Sequence, residues 1–140
     1  MPPTATQPFF VYDSKKEARV ESSKMEMRIH DILTMNDVPF AEEYTFPDLV
    51  TKGGVPLRFD FAVFDDLGDI DFLIEANGRQ HYAPVPKYGG MAGFRKQQYN
   101  DARKKQYCRS KNITLVTIPY QDESKISYEY ILKAAGYGED

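Results

Sequence analysis

The sequence predicts an α/β (α+β) domain in which a helix, three strands, a helix, a strand and a last helix build a mixed sheet flanked by helices. Three observations predict it. Met25, Ile29, Ile32 and Leu33 recur at helical spacing. Leu57–Phe64 and Ile70–Ala76 are strand-like runs on either side of Asp65-Asp66-Leu67-Gly68-Asp69, which is turn chemistry, so they pair as a hairpin. Ile113–Ile118 is a short β-branched run after a long helical segment, a strand added to the sheet through a helical crossover.

Each element has its own signals. Pro2, Pro3 and Pro8 mark residues 1–12 as a loose arm, and 13–140 reads as one domain. Ser14-Lys-Lys-Glu17 and Ser23-Lys-Met-Glu26 both have capping-box spacing, so the first helix starts at one or the other, and its apolar stripe extends to Met35. Asn36-Asp37 and Pro39 end it. Phe40–Phe46 alternates as a strand, and Pro47-Asp48 with Lys52-Gly53-Gly54 makes a loop. In the second strand Leu57, Phe59, Phe61 and Val63 face one way, and Arg58, Asp60, Ala62 and Phe64 the other. Asn77-Gly78 stops the third strand. A long loop, Arg79–Gly93, leads to a basic helix opening at Gly93 or Phe94 and closed by Asn112. Pro119 ends the fourth strand, and Ser124–Ala135 forms the last helix with Ile126, Tyr130 and Ile131 inward.

Composition excludes several function classes. The 140 residues can bury a sizeable core. Hydrophobic residues make up 41% and charged residues 28%, which is ordinary for a globular chain. No apolar run approaches a membrane span, and Met1–Gln7 holds neither a basic residue nor an apolar run, so no secretory signal is expected. Cys108 is the one cysteine, which points to a reducing, cytoplasmic compartment. Two histidines and one cysteine make no conventional zinc site.

The net charge of −3 hides a split. Lys87, Arg95, Lys96, Arg103, Lys104, Lys105, Arg109 and Lys111 stand against Asp101 alone, so this segment carries +7 and the rest of the chain −10. That pattern suits one polyanion-facing surface, although a solvated helix face would produce it too.

The hairpin places two carboxylates together. With Leu67 and Gly68 as central turn residues, Asp60 lies opposite Glu75, Arg58 opposite Asn77, and Phe61 opposite Ile74. Opposed side chains stand roughly 4.5–5.5 Å apart at Cβ, so the two carboxylates repel unless a partner such as Arg58 or a divalent cation intervenes. Past Glu75 the strand end projects Asn77, Arg79, Gln80 and His81. Gln98, Asp101, Lys104 and Lys105 share one stripe of the basic helix with Phe94 and Cys108. Glu26 lies on the helix expected to pack over the sheet, either as a capping partner of Ser23 or as a metal ligand.

In this order, Ser23-Lys-Met-Glu26 with Ile29 and Leu33, Leu57-Arg-Phe-Asp60 running to Asp65, Leu73-Ile-Glu75-Ala-Asn77-Gly-Arg-Gln80-His81-Tyr82, and Gln98-Tyr-Asn-Asp101-Ala-Arg-Lys104 with Asn112–Tyr120 resemble the PD-(D/E)XK nuclease superfamily. The resemblance is strongest to small phage-encoded nucleases and homing endonucleases related to very-short-patch repair enzymes, and it spans residues 23–120. It implies the restriction-endonuclease-like αβββαβ core and a magnesium-dependent endonuclease acting on DNA in a bacterial or phage-infected cell. Manganese would substitute for magnesium. It implies Asp60 and Glu75 as metal ligands and Glu26 as an accessory ligand.

Two positions depart from the motif: Phe59 stands where its proline would be, and Asn77 where its lysine would be. Asparagine carries no charge and is no base, though it can orient water. Gln80, His81 and Lys104 are the candidates for the missing role, with Gln80 and His81 preferred because they are local to the strand end. A non-catalytic DNA-binding module on a degenerate nuclease fold is the alternative that Asn77 favours. Arg79, Lys87, Arg95, Lys96, Arg103 and Lys105 are the expected phosphate contacts. Cutting both strands needs two active sites, which makes a homodimer an expectation.

Overall fold

A computed structural model describes residues 16–138, with side chains described from Ser23 onward. The expected N-terminal arm and the Ser14 capping box lie outside the described residues. Helix α1 spans Lys16–Met35 and buries Met25, Ile29 and Leu33 completely. Ser23 is therefore an exposed residue inside the helix and not its cap, which corrects the capping role given to the Ser23–Glu26 spacing. Met35 is 81% exposed, not inward, because the helix ends there and the Val38 N–H folds back to the Leu33 carbonyl at 3.0 Å.

Strand β1 runs Phe40–Val50, through the expected Pro47-Asp48 loop. The proline is tolerated because β1 is an outer strand in the order β1-β2-β3-β4 and its register shifts between Thr45 and Val50. Strands β2 (Pro56–Phe64) and β3 (Ile70–Asn77) pair antiparallel with Phe61 opposite Ile74, the expected register. The turn that delivers it differs from expectation. The Gly68 N–H donates to the Asp65 carbonyl at 3.0 Å, so Asp66 and Leu67 are central, and Gly68 follows at φ +86°. An irregularity between Phe64↔Ile70 and Val63↔Phe72 then restores the register.

The Arg79–Gly93 segment is more ordered than a loop, holding 3-10 turns at Arg79–His81 and Pro86–Tyr88. Helix α2 begins earlier than expected and spans Gly90–Lys111. A Cβ at Gly93 would meet the Tyr88 carbonyl oxygen at 1.7 Å, so only glycine lets the helix approach this turn. Asn112 ends α2 at φ +59°. Strand β4, Thr114–Pro119, joins β3 in parallel, which completes the mixed sheet. Tyr120–Lys125 is a 3-10 stretch, and helix α3 spans only Tyr128–Ala134. The last helix is shorter than expected because Ile126 is extended while it buries its side chain, and Ser127 caps the helix by accepting from the Tyr130 N–H at 3.0 Å. No helix among the described residues is long and apolar enough to cross a membrane.

Two apolar clusters flank the sheet. Met25, Ile29 and Leu33 of α1 pack with Phe61, Val63, Phe72, Ile74, Val116 and Ile118, and with Ile126 and Ile131. Leu49, Leu57, Phe59, Ala62, Leu73 and Cys108 form the second cluster. The expectation that Leu57 and Phe59 share a face with Phe61 and Val63 fails, since the alternation breaks at Asp60. Strand β1 breaks at the same rung: Phe40 packs against the first cluster, Tyr44 and Phe46 against the second, and between them Glu43 has φ +52°. A left-handed residue in mid-strand is strained, and such strain collects where a fold gives up regularity for a site.

Candidate active site

The regular β2–β3 ladder ends at Phe61 and Ile74, and the next rung is made by side chains. The Asp60 N–H donates to Glu75 Oε2 at 3.1 Å, and the Ala76 N–H donates to Asp60 Oδ2 at 2.7 Å. Each carboxylate thus accepts from the opposite strand, which offsets part of their repulsion. Lys104, buried on α2, supplies the rest. Its ammonium donates to Glu75 Oε1 at 3.1 Å and lies 5.4 Å from the centre of the Phe59 ring. Arg58 makes no hydrogen bond to either carboxylate, although its charge also favours ionised Asp60. Its guanidinium donates to Glu43 at 2.8 Å on the exposed surface, and it pairs with Thr45 rather than with Asn77.

The electrostatics follow from burial. Removal from water pushes Glu75 up to about 7; the Asp60 charge adds to the rise and Lys104 opposes it. Asp60 is raised by burial too, against the Ala76 N–H and the Lys104 charge. Glu26, half-buried on α1, is pushed up to about 7, first by burial and then by the charges of Asp60, Glu43 and Glu42. It therefore belongs to the same acidic neighbourhood, on the Asp60 side.

Glu75 and Asn77 open into a cavity of about 350 Å³, also lined by His81, Asp101, Lys104 and Lys105. That volume lies within the usual range for ligand sites. Asn77 is buried, its side chain hydrogen-bonds the Tyr82 phenol, and its Oδ1 has no partner. His81 Nδ1 lies 2.8 Å from Asp101 Oδ2, and Gln97 holds Asp101 Oδ1 at 3.0 Å. An ionised carboxylate only accepts, so Nδ1 carries the hydrogen and Nε2 is the acceptor of the neutral ring.

The expected site residues divide accordingly. Asp60, Glu75, Asn77, His81 and Lys104 come together, and the stripe of Gln98, Asp101, Lys104 and Lys105 faces the cavity as expected. Gln80 does not join them: it lines a second, smaller cavity, so the preferred Gln80–His81 pair is split between two cavities. A 3-10 turn starting at Arg79 aims successive side chains apart, and the turn was not legible as such. The Asp101–His81 contact was also missed; the only signal for it was Asp101 as the sole acid on a basic helix.

Among the described residues no group of three or more His, Cys, Asp or Glu is arranged to hold a metal ion. Asp60 and Glu75 offer carboxylate oxygens on adjacent strands, and the partnerless Asn77 Oδ1 lies on the cavity wall with Glu75; oxygen donors of this kind suit a hard cation such as magnesium.

The basic residues divide as well. Lys87, Arg95, Lys96 and Lys105 differ from Arg103 in reaching the surface: all four are exposed. Arg79 is exposed with its guanidinium 5.6 Å from the centre of the Tyr120 ring. Arg103 is a correction to the expected phosphate contacts: it donates to the Val50 carbonyl at 2.6 Å, half-buried, and ties α2 to the end of β1.

No family model matches the chain, and no solved structure matches it. Over 66 residues it is 39% identical to a protein of Invertebrate iridescent virus 6 named "Uncharacterized protein 307L". The matched stretch is 46% of this chain and 34% of that protein, so the chain spans about a third of the relative's length.

Proposed function

We propose that the chain is a magnesium-dependent endonuclease that hydrolyses DNA phosphodiester bonds. One observation carries this reading: a buried carboxylate, Glu75, and a half-buried one, Asp60, stand on neighbouring strands with a buried lysine 3.1 Å from the first. The resemblance asks for a lysine at position 77, and α2 offers one at the same carboxylate from position 104. Asn77 then serves as a neutral oxygen donor rather than as a defect.

Asp60 and Glu75 would hold the ion, with Asn77 Oδ1 beside them and Glu26 as the accessory carboxylate. The bound ion supplies Lewis acidity at the phosphoryl oxygen and lowers the pKa of water. Lys104 places a positive charge on the cavity wall, where it stabilises negative charge developing on the phosphate. His81, oriented by Asp101, presents Nε2 as a proton acceptor or donor. Lys87, Arg95, Lys96 and Lys105 hold the backbone on either side. The likeness to a viral protein supports a virus-borne enzyme acting inside an infected cell, as the single cysteine does. Double-strand cutting would need a homodimer.

Incubation with supercoiled plasmid tests this reading. Nicking or linearisation is expected with magnesium or manganese, none with EDTA, and none for Glu75→Gln. DNA binding without cleavage under either metal would leave a non-catalytic binding module instead.

A further inference from the structure

We propose that the smaller cavity is a nucleobase subsite, which takes one unpaired base of the DNA strand whose backbone lies at the Asp60–Glu75 pair. This rests on the nuclease reading and adds what the enzyme recognises beyond phosphate.

The cavity has about 190 Å³ and lies among the Arg79–His81 turn, the Pro86–Tyr88 turn and the first turns of α2. That volume falls below a drug-sized site, which suits a single heteroaromatic ring. Its chemistry is selective. Gln80, Gln97 and Asn100 contribute three neutral amides, Tyr88 and Phe94 two aromatic rings, and Lys96 one cation. No carboxylate lines it, so it is not a metal site, and a single lysine makes a poor phosphate clamp. Amides carry the paired donor and acceptor that read a base edge, and aromatic rings stack on base faces.

Two further features favour this ligand. No hydrogen bond engages the Gln80 or Asn100 side chains among the described residues, whereas Gln97 is held by Asp101. The walls are also preformed: the Tyr88 and Gly90 N–H groups both donate to the Val85 carbonyl, at 2.8 and 3.1 Å, and Gly93 clamps the turn onto α2. The subsite adjoins the reaction site through consecutive residues, since Gln80 precedes His81, and Gln97 bonds the aspartate that orients it.

The test measures binding of the full chain in EDTA by fluorescence anisotropy. The probes are a fully paired DNA duplex, the same duplex with one bulged base (each of the four in turn), and the single strand. The wild type is expected to bind bulged and single-stranded probes more tightly than the paired duplex. Phe94→Ala should weaken bulge binding about 5- to 100-fold, the range for losing one stacked base, and change paired-duplex binding less than about twofold. Gln80→Glu and Asn100→Asp preserve side-chain shape and should reorder the preference among the four bulged bases. Wild-type affinity and base order in both isosteric variants would overturn the subsite, while metal-dependent plasmid cleavage by the same wild-type preparation would leave the nuclease reading standing. A wild type that neither binds nor cleaves DNA would overturn both.

Discussion

The two helices that cover the sheet are held by different forces. Helix α1 inserts Met25, Ile29 and Leu33, all fully buried, into the larger apolar cluster. Helix α2 is slightly longer but buries only Lys104 and Cys108. Polar links attach it instead: Lys104 to Glu75, Arg103 to the Val50 carbonyl, Tyr107 to Asp48 at 2.6 Å, and Asp101 to His81. Apolar burial is non-directional and serves stability, whereas hydrogen-bonded charges hold particular atoms at particular distances. The α1 side therefore folds the molecule, and the α2 side carries most of the groups proposed to do its chemistry, with Glu26 on α1 the exception.

The largest expected effects fall on the α2 side and leave the fold alone. Asp60→Asn and Glu75→Gln should abolish plasmid cleavage while far-UV circular dichroism stays native, because each replacement keeps its shape and most of its hydrogen bonds. Full activity in either variant would remove the carboxylate pair from the mechanism. On the α1 side the pattern reverses. Leu33 is fully buried. Leu33→Ala should cost about 2–5 kcal/mol in urea unfolding, as a large-to-small change in a packed core does, with cleavage intact wherever the chain remains folded. A loss below about 1 kcal/mol, the average for any substitution, would show that this face is not the main stabilising one.

Lys104→Met sharpens the contrast, since it keeps volume and removes charge. Cleavage should fall about 10²–10³-fold, the usual cost of removing one group that stabilises developing negative charge. Unchanged turnover would assign that role to His81.

The buried carboxylates also set a pH dependence for the metal-free protein. Glu75 holds its proton more tightly folded, with its pKa pushed from 4.5 to about 7, than unfolded. Its contribution is fully present below the unfolded value and is lost as pH rises through the folded one, at most on the order of 3 kcal/mol. Thermal melts in EDTA should show this decline, and Glu75→Gln should make it shallower, leaving the share of Glu26, which is also pushed up to about 7; a rise in stability across that window would refute the assignment. The smallest effect concerns the exposed cations. Lys96→Ala or Lys105→Ala should shallow the salt dependence of DNA binding by about one per lost phosphate contact. Arg103→Ala should instead appear chiefly in stability, because its guanidinium is engaged by the Val50 carbonyl.

Much of this was legible in local pattern. The element order, the hairpin register that sets Asp60 against Glu75, and the stripe of α2 that faces the site all follow from periods of about 2 and 3.6 residues along the chain. Local signals misled where a residue type has two uses: Ser23–Glu26 has the spacing of a cap yet lies inside α1, and Pro47 looks like a loop yet sits on an outer strand.

By itself the sequence determined the order of the elements, which carboxylates share a rung, and that position 77 holds an asparagine where the motif it resembles has a lysine. Only the tertiary structure decided which side chain stands beside Glu75 instead. Gln80 was nearer along the chain, but a 3-10 turn directs it into another cavity, while Lys104, 29 residues from Glu75, reaches it across the sheet. Periodicity fixes the face on which a side chain lies. The crossing of one element over another fixes what that side chain meets, and the crossing depends on the packing of residues far apart in the chain.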